Sequence, residues 1–176
     1  AQIESLGREQ NARQQLQMER TARMLEAYDV GWFEEALPPD DIEGFIRLRN
    51  ASPVPISGGE VLTRRQSFLP WIERGALDIV QPDVMYLGGI SRTLEVCRMG
   101  QAAGLPITPH AANLSLVTMC TMHLLRAIPN AGKYLEFSIE GPDYYPWQQD
   151  LFLGQPYAIT GAPRIAKGKV LIGQGG

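Results

Sequence analysis

Short apolar segments recur along the chain at a nearly constant spacing, and each one ends near an ionisable side chain. The segments span residues 31–34, 54–57, 77–81, 105–108 and 134–137. The ionisable residues at or just past their ends lie 26, 23, 27 and 26 residues apart, and they are Glu34, Glu60, Asp83, His110 and Glu136. Because no segment alternates polar with apolar residues, the pattern predicts strands that are buried on both faces, as in parallel sheets.

Helices are predicted before and between these strands. The first predicted helix, over residues 11–28, precedes the first strand, and the last one spans residues 114–127. Asp40 or Asp41 can cap the second helix and Ser91 a later one, because short polar side chains accept hydrogen bonds from the free N–H groups at a helix N-terminus. Strands that alternate with helices through short connections predict a β/α fold with right-handed crossovers.

The position of the ionisable residues decides between two α/β folds. In a β/α barrel the carboxyl ends of all strands converge on one mouth, so the five residues would meet there. A doubly wound open sheet is the competing fold, but it gathers its ligand at one switch point of the sheet. The sequence therefore favours a partial (β/α)8 TIM barrel over residues 1–160, followed by a return segment over residues 161–176.

The chain is shorter than a complete barrel. Such a barrel has eight strands and about 250 residues, whereas this chain of 176 residues shows five strand segments. A five-stranded piece would expose unpaired strand edges. We therefore expect that the natural protein begins before Ala1, or that the remaining strands come from elsewhere.

Composition narrows the classes of function. The 16 basic residues are dispersed along a chain of net charge -3, which argues against a nucleic-acid partner. Cys97 and Cys120 both lie in apolar segments, so a disulfide framework is not expected. No apolar run approaches the ~20 residues of a membrane span. The sequence predicts a soluble, cytoplasmic protein without a membrane partner.

Carboxylates beside a histidine suggest a divalent cation next to a proton-transfer group. Mg²⁺ prefers oxygen ligands, so Glu34 and Glu60 suit it. His110 could act as a base, with Asp83 fixing its tautomer. Glu136, when protonated, could hydrogen-bond a developing oxyanion. This set of groups is suited to removing a proton next to a carboxylate.

The motifs around these residues resemble the successive strand ends of the enolase superfamily, mandelate racemase subgroup. In chain order they read WFEEALPPDD, PISGGE, IVQPDVMYLGGIS, PITPHAANLSL and KYLEF. By position, the resemblance implies that Glu34 and Glu60 are the second and third metal-binding carboxylates. It implies that Asp83 and His110 form the Asp–His dyad. Glu136 corresponds to the electrophilic glutamate of the final strand.

The resemblance implies an Mg²⁺-dependent lyase that dehydrates a sugar acid. The α-proton would be abstracted to give an enediolate, and loss of the β-hydroxyl would leave a 2-keto-3-deoxy acid. His110 would be the base, or the acid that helps the hydroxyl leave. A racemase or epimerase of a 2-hydroxy acid with the same intermediate is one alternative, and a non-catalytic homologue is another. A small carboxylate substrate and a homo-oligomer are expected.

The chain also departs from the family pattern. The first metal ligand, an aspartate in an Asp-x-Asn motif, is expected near residues 8–10, where the chain reads GREQNAR. The Lys-x-Lys pair of the second strand and the N-terminal capping domain are absent, so this segment alone is expected to be inactive. Ala36 replaces a proline that is common in the family. Glu35, beside Glu34, is predicted to support the site or to lie at the surface.

Overall fold

The structure is a computed structural model, and it describes residues 2–111, 115–137, 143, 164–166 and 169–171. The helices are α1 (Gln2–Glu26), α2 (Ile42–Ala51), α3 (Arg65–Glu73), α4 (Ile90–Ala102) and α5 (Leu116–Ala127), and the strands are β1 (Phe33–Glu34), β2 (Ile56–Gly58), β3 (Ile79–Val80), β4 (Arg164–Ala166) and β5 (Lys169–Leu171).

The strands β1, β2 and β3 form a parallel sheet in chain order. Phe33 pairs with Ile56, and the next strand continues the same direction. Single parallel bridges extend this ladder from Val80 to Ile107 and from Ile107 to Ala131. Neighbours in sequence are therefore neighbours in space, as in the wall of a β/α barrel, whereas a doubly wound sheet reverses its strand order. The predicted partial barrel is confirmed.

The strand boundaries differ from the prediction. The described strands are short, and the predicted segment over residues 105–108 contributes one bridge, at Ile107. The predicted strand over residues 134–137 is wrong, because this segment carries no strand. The residue that pairs with the sheet lies earlier in the chain, where Ala131 forms a parallel bridge with Ile107. Hydrophobic runs locate a buried segment, but the pairing register within it depends on the neighbouring strand.

The sequence predicted N-terminal caps for two helices, at Asp40 or Asp41 and at Ser91. Asp41, rather than Asp40, caps α2 and accepts a hydrogen bond from Gly44 N–H at 2.8 Å. The predicted cap at Ser91 is wrong, because Ser91 lies inside α4 and the N-cap, two residues earlier, is Gly89, with φ of 112°. A non-glycine side chain is disfavoured at that φ.

The outer helices also differ in extent. The first helix begins at Gln2 and ends at Glu26, so it is longer than predicted at its start and shorter at its end. The last helix begins after its N-cap, Ser115, and Leu114 lies outside the described residues. The strands β4 and β5 pair antiparallel within the predicted return segment. Within the described part of the chain, no helix has the length and apolar character needed to cross a membrane.

Two buried apolar clusters hold the helices against the sheet. One contains Phe45 of α2 and Trp71 of α3, whose ring centroids lie 4.7 Å apart. The other is centred on Phe68, Val96 and Ile107, which are fully buried. Complete burial of one large apolar side chain stabilises a fold by roughly 1.5–3 kcal/mol. These clusters fix the orientation of the helices against the sheet.

One polar link ties a helix to two strands. Arg49 Nε of α2 donates to Asp78 Oδ1 at 2.7 Å, just before β3. The other carboxylate oxygen of Asp78 accepts the Ile56 N–H of β2 at 2.9 Å. A single carboxylate therefore aligns the beginnings of two adjacent strands.

We predict that Gly132→Ala destabilises the protein. An ideal Cβ at this position would overlap Thr108 Oγ1 and would lie 3.0 Å from the Ile107 carbonyl oxygen, so the end of the ladder must shift. Overpacking of this kind costs about 1–3 kcal/mol of unfolding free energy, measurable by urea denaturation. The matched control is Gly7→Ala, where no atom lies within 4 Å of the added methyl group. Equal stability of the two variants would contradict the close packing at Gly132.

Candidate functional site

The predicted site residues all follow strands or bridges at the carboxyl edge of the sheet. Glu34 ends β1, and Glu60 and Asp83 follow β2 and β3 by two and three residues. His110 follows the bridge at Ile107, and Glu136 follows the bridge at Ala131. Parallel strands place their carboxyl ends on the same side, so these side chains share one edge.

The Asp83–His110 pair is formed. His110 Nδ1 donates to Asp83 Oδ2 at 2.7 Å, and the two side chains are only 12% and 6% exposed. Asp83 Oδ1 accepts the backbone N–H groups of Met85 and Tyr86 at 2.7 and 2.8 Å. The aspartate is therefore held by three hydrogen bonds, and it fixes the orientation of the imidazole.

The free face of His110 meets two further carboxylates. Nε2 lies 3.6 Å from Glu60 Oε2 and 3.8 Å from Glu136 Oε2. Glu136 Oε2 also accepts the Ala111 N–H at 2.8 Å, which holds this side chain beside the ring. The Tyr86 ring stacks on the imidazole with a centroid separation of 6.0 Å. The structure thus brings three of the other four predicted residues, Asp83, Glu60 and Glu136, around the imidazole of His110.

Hydrogen bonds, burial and nearby charges shift three pKa values at the dyad. The hydrogen bond with Asp83 raises the pKa of His110 to about 8, burial opposes this, and the charges of Glu136 and Glu60 add to it. Burial alone would raise the pKa of Asp83, but hydrogen bonds from His110 and the backbone outweigh it and place that pKa below its usual value. Burial raises the pKa of Glu60, and neighbouring carboxylates add to the effect. At neutral pH the imidazole therefore holds a proton on the side of the free carboxylates.

Glu34 is held by two donors that the sequence analysis did not identify. Its Oε2 accepts Trp32 Nε1 at 2.7 Å and Gln81 Nε2 at 2.8 Å. Trp32 stands two residues before Glu34, on the same side of an extended chain, so the strand periodicity could have indicated this contact. Gln81 is a buried amide at the end of an apolar segment. An amide in that position was a weaker indication of a polar contact with the site.

Glu35 lies beside Glu34, and its side chain is partly buried. Its Oε1 accepts the Gly59 N–H at 2.6 Å, directly before Glu60 in the chain. The contact joins residues 24 positions apart in sequence, which is why it could not be derived from the motif around Glu34 alone.

The donor set fits part of an Mg²⁺ site. Glu34 and Glu60 supply carboxylate oxygens, the ligands that this ion prefers. The residues described do not bring three or more His, Cys, Asp or Glu side chains into a metal-binding group. The GREQNAR stretch, where a further aspartate was expected, lies in α1 rather than at a strand end. Among the residues described, Gln81 Oε1 is buried without a hydrogen-bond partner.

A groove of about 370 Å³ lies away from this cluster, between α3 and α4. Its lining residues are Arg65, Gln66, Leu69, Glu95, Arg98 and Met99. None of the predicted site residues contributes to it. The ionisable cluster at the strand ends, which combines buried hydrogen bonds with shifted pKa values, is therefore the better candidate site.

Comparison with known proteins places the chain in a family. The sequence pattern of the family described as enolase C-terminal domain-like matches residues 8–170. L-rhamnonate dehydratase of Saccharopolyspora erythraea is 30% identical over 151 residues, which are 83% of this chain and 37% of that enzyme.

Two solved structures extend the comparison. A candidate racemase from Roseobacter denitrificans superposes with a TM-score of 0.75 at 52% identity, over 81% of this chain and 39% of that protein. L-talarate dehydratase from Polaromonas sp. JS666, solved with Mg and L-glucarate, superposes with a TM-score of 0.58 at 32% identity, over 65% of this chain and 31% of that enzyme. The chain thus spans less than two fifths of the length of each of these relatives.

We predict that Asp83→Asn lowers the pKa of His110 from about 8 toward the ordinary value near 6.5. The chain has two histidines, so His123 serves as the internal control in an NMR titration of the imidazole signals. A titration of His110 that is unchanged in the variant would contradict the assigned role of Asp83.

The same substitution has a pH-dependent effect on stability. A histidine with a raised pKa in the folded state contributes stability that is complete below about pH 6.5 and is lost as the pH rises through about 8. The stability difference between the wild type and Asp83→Asn should therefore be larger at pH 6 than at pH 9, by up to about 2 kcal/mol. Denaturation at the two pH values measures it, and an equal difference would contradict the coupling.

Proposed function

The chain belongs to the enolase C-terminal domain-like family, and on this premise we propose that the protein at its full natural length dehydrates a sugar acid. The reaction removes the proton next to the substrate carboxylate and expels a hydroxyl group from the neighbouring carbon. The product is a 2-keto-3-deoxy acid. The observation that carries the proposal is the environment of His110 Nε2, which faces two carboxylates while Asp83 holds Nδ1.

His110 moves the proton in this proposal. Its Nε2 is the free ring atom, because Nδ1 donates to Asp83. With a pKa of about 8, the imidazole carries its proton at neutral pH and can deliver it to the departing hydroxyl group. In its neutral form the same atom accepts the α-proton, and the imidazolium formed in this way passes that proton to the departing hydroxyl group, which leaves as water. One positioned histidine of this kind contributes typically 10²–10⁴-fold to a rate.

Glu136 binds the substrate oxygen in this proposal. Its Oε2 is occupied by the Ala111 N–H at 2.8 Å, and its side chain is 39% exposed beside the imidazole. We propose that its other carboxyl oxygen donates a hydrogen bond to an oxygen atom of the substrate carboxylate.

Glu34 and Glu60 would hold Mg²⁺. Carboxylate oxygens are its preferred ligands, and a related structure contains Mg together with L-glucarate. When bound, the ion supplies positive charge that stabilises the negative charge developing on the substrate carboxylate. Trp32 and Gln81 restrain Glu34 by their hydrogen bonds, so this ligand is oriented before the ion arrives.

A racemase or epimerase is the second candidate, because a structure described as that of a candidate racemase is 52% identical to this chain. Both reactions begin with removal of the α-proton. They are distinguished by the product, since a dehydratase forms a keto acid whereas a racemase returns the hydroxy acid with inverted configuration.

We predict that His110→Asn lowers kcat for sugar-acid dehydration by about 10²–10⁴-fold. The measurement screens a library of acid sugars with Mg²⁺ and detects keto acids, with the full-length protein as the reference. Glu73→Gln, in the last turn of α3, is the control for loss of a charged side chain remote from the site. The 176-residue chain assayed alone is expected to be inactive.

Two results would contradict the proposal. Dehydration at the wild-type rate by His110→Asn would remove the histidine from the reaction. Inversion of a hydroxy acid without keto-acid formation would replace the dehydratase with the racemase.

A further inference from the structure

Glu35 has an unusual backbone conformation for its residue type. Its φ is +43°, in the left-handed region that side chains other than Asn, Asp and Gly seldom adopt. Its N–H still donates to the Ser57 carbonyl oxygen at 3.1 Å, which extends the pairing of β1 with β2 by one residue. The chain therefore turns sharply directly after Glu34, while it remains attached to the neighbouring strand.

The turn directs the Glu35 side chain onto the adjacent loop. Its Oε1 accepts the Gly59 N–H at 2.6 Å, a short bond to a charged acceptor. An ideal Cβ at Gly58 would lie 2.8 Å from the same oxygen, so the absence of a side chain there permits the approach. Gly59 itself has φ of +113°. The loop that leads into Glu60 is thus shaped around this carboxylate.

We propose that Glu35 is a positioning residue that fixes residues 58–60 and thereby sets the placement of Glu60 relative to Glu34. Glu35 connects the strand end that carries Glu34 with the loop that carries Glu60. It follows Glu34 in the chain, and its side chain accepts the N–H of Gly59, the residue before Glu60. The expected effect on Mg²⁺ affinity rests on the proposed function, whereas the expected effect on the position of residues 58–60 does not.

Charge and position are separable at this residue. The negative charge of Glu35 also acts on Glu60, where it adds to the rise in pKa caused by burial. Glutamine keeps an acceptor oxygen for the Gly59 N–H and removes the charge. Alanine removes both, and glycine removes both while it relieves the positive φ. A role in position predicts that glutamine behaves as the wild type and that glycine behaves as alanine.

The experiment compares Glu35→Gln, Glu35→Ala and Glu35→Gly with Asp40→Ala, an exposed residue of the same connection that carries the same charge. Hydrogen exchange of the Gly59 amide, followed by NMR, reports the contact without any metal. Calorimetry of Mg²⁺ binding to the full-length protein reports its consequence. Loss of a group that orients a metal ligand typically weakens metal affinity by about 10–100-fold.

The expected result is faster Gly59 exchange by at least about tenfold, together with Mg²⁺ affinity weakened by about 10–100-fold, in the alanine and glycine variants. Glu35→Gln and Asp40→Ala should stay within about threefold of the wild type in both measurements. Glycine at position 35 relieves the backbone strain, so the Glu35→Gly variant should fold. Faster Gly59 exchange in that variant then reports the lost contact rather than a loss of overall stability.

Two outcomes would overturn the inference. Unchanged Gly59 exchange in Glu35→Ala would show that the contact does not hold the loop, and equal loss of affinity in Glu35→Gln would show that charge alone matters. A wild-type protein that does not bind Mg²⁺ would overturn the proposed function instead, and Gly59 exchange would then decide the positioning role by itself.

Discussion

The parallel register of the strands is the constraint on which the site depends. Hydrogen bonding from Phe33 through Ile56 and onward to Ile107 makes β1, β2, β3 and the bridged segment at Ile107 point the same way. The side chains that follow those strands are then gathered at one edge, although they are separated by more than twenty residues in sequence. The helices contribute by burying apolar surface that holds the register, and they contribute no group to the dyad.

Several negative charges at one edge create an electrostatic cost that the site offsets locally. Asp83 is stabilised by two backbone N–H groups and by His110, so its charge is fully paired. Glu60 is less well satisfied, and burial with neighbouring carboxylates raises its pKa. A divalent cation relieves such repulsion more effectively than a monovalent side chain does. The same carboxylates add to the rise in the pKa of His110, which its hydrogen bond with Asp83 causes first, and they are the groups that we propose to hold the cation.

The sequence was sufficient for the features that depend on period and spacing. The strand order and the Asp83–His110 pair follow from patterns that repeat with each β/α unit, whereas the sequence left Asp40 and Asp41 as alternative caps and the structure decides for Asp41. Features that depend on register and on left-handed backbone were not accessible in this way. The ladder contact at Ala131 and the turn at Glu35 are fixed by neighbouring strands, and no pattern within either segment specifies them.

A crystal structure of the full-length protein with Mg²⁺ and a sugar acid tests the central claim most directly. The account predicts that the ion contacts carboxylate oxygens of Glu34 and Glu60, and that the substrate α-carbon lies next to His110 Nε2. Substrate bound in the groove between α3 and α4, or an ion that contacts neither glutamate, would contradict it.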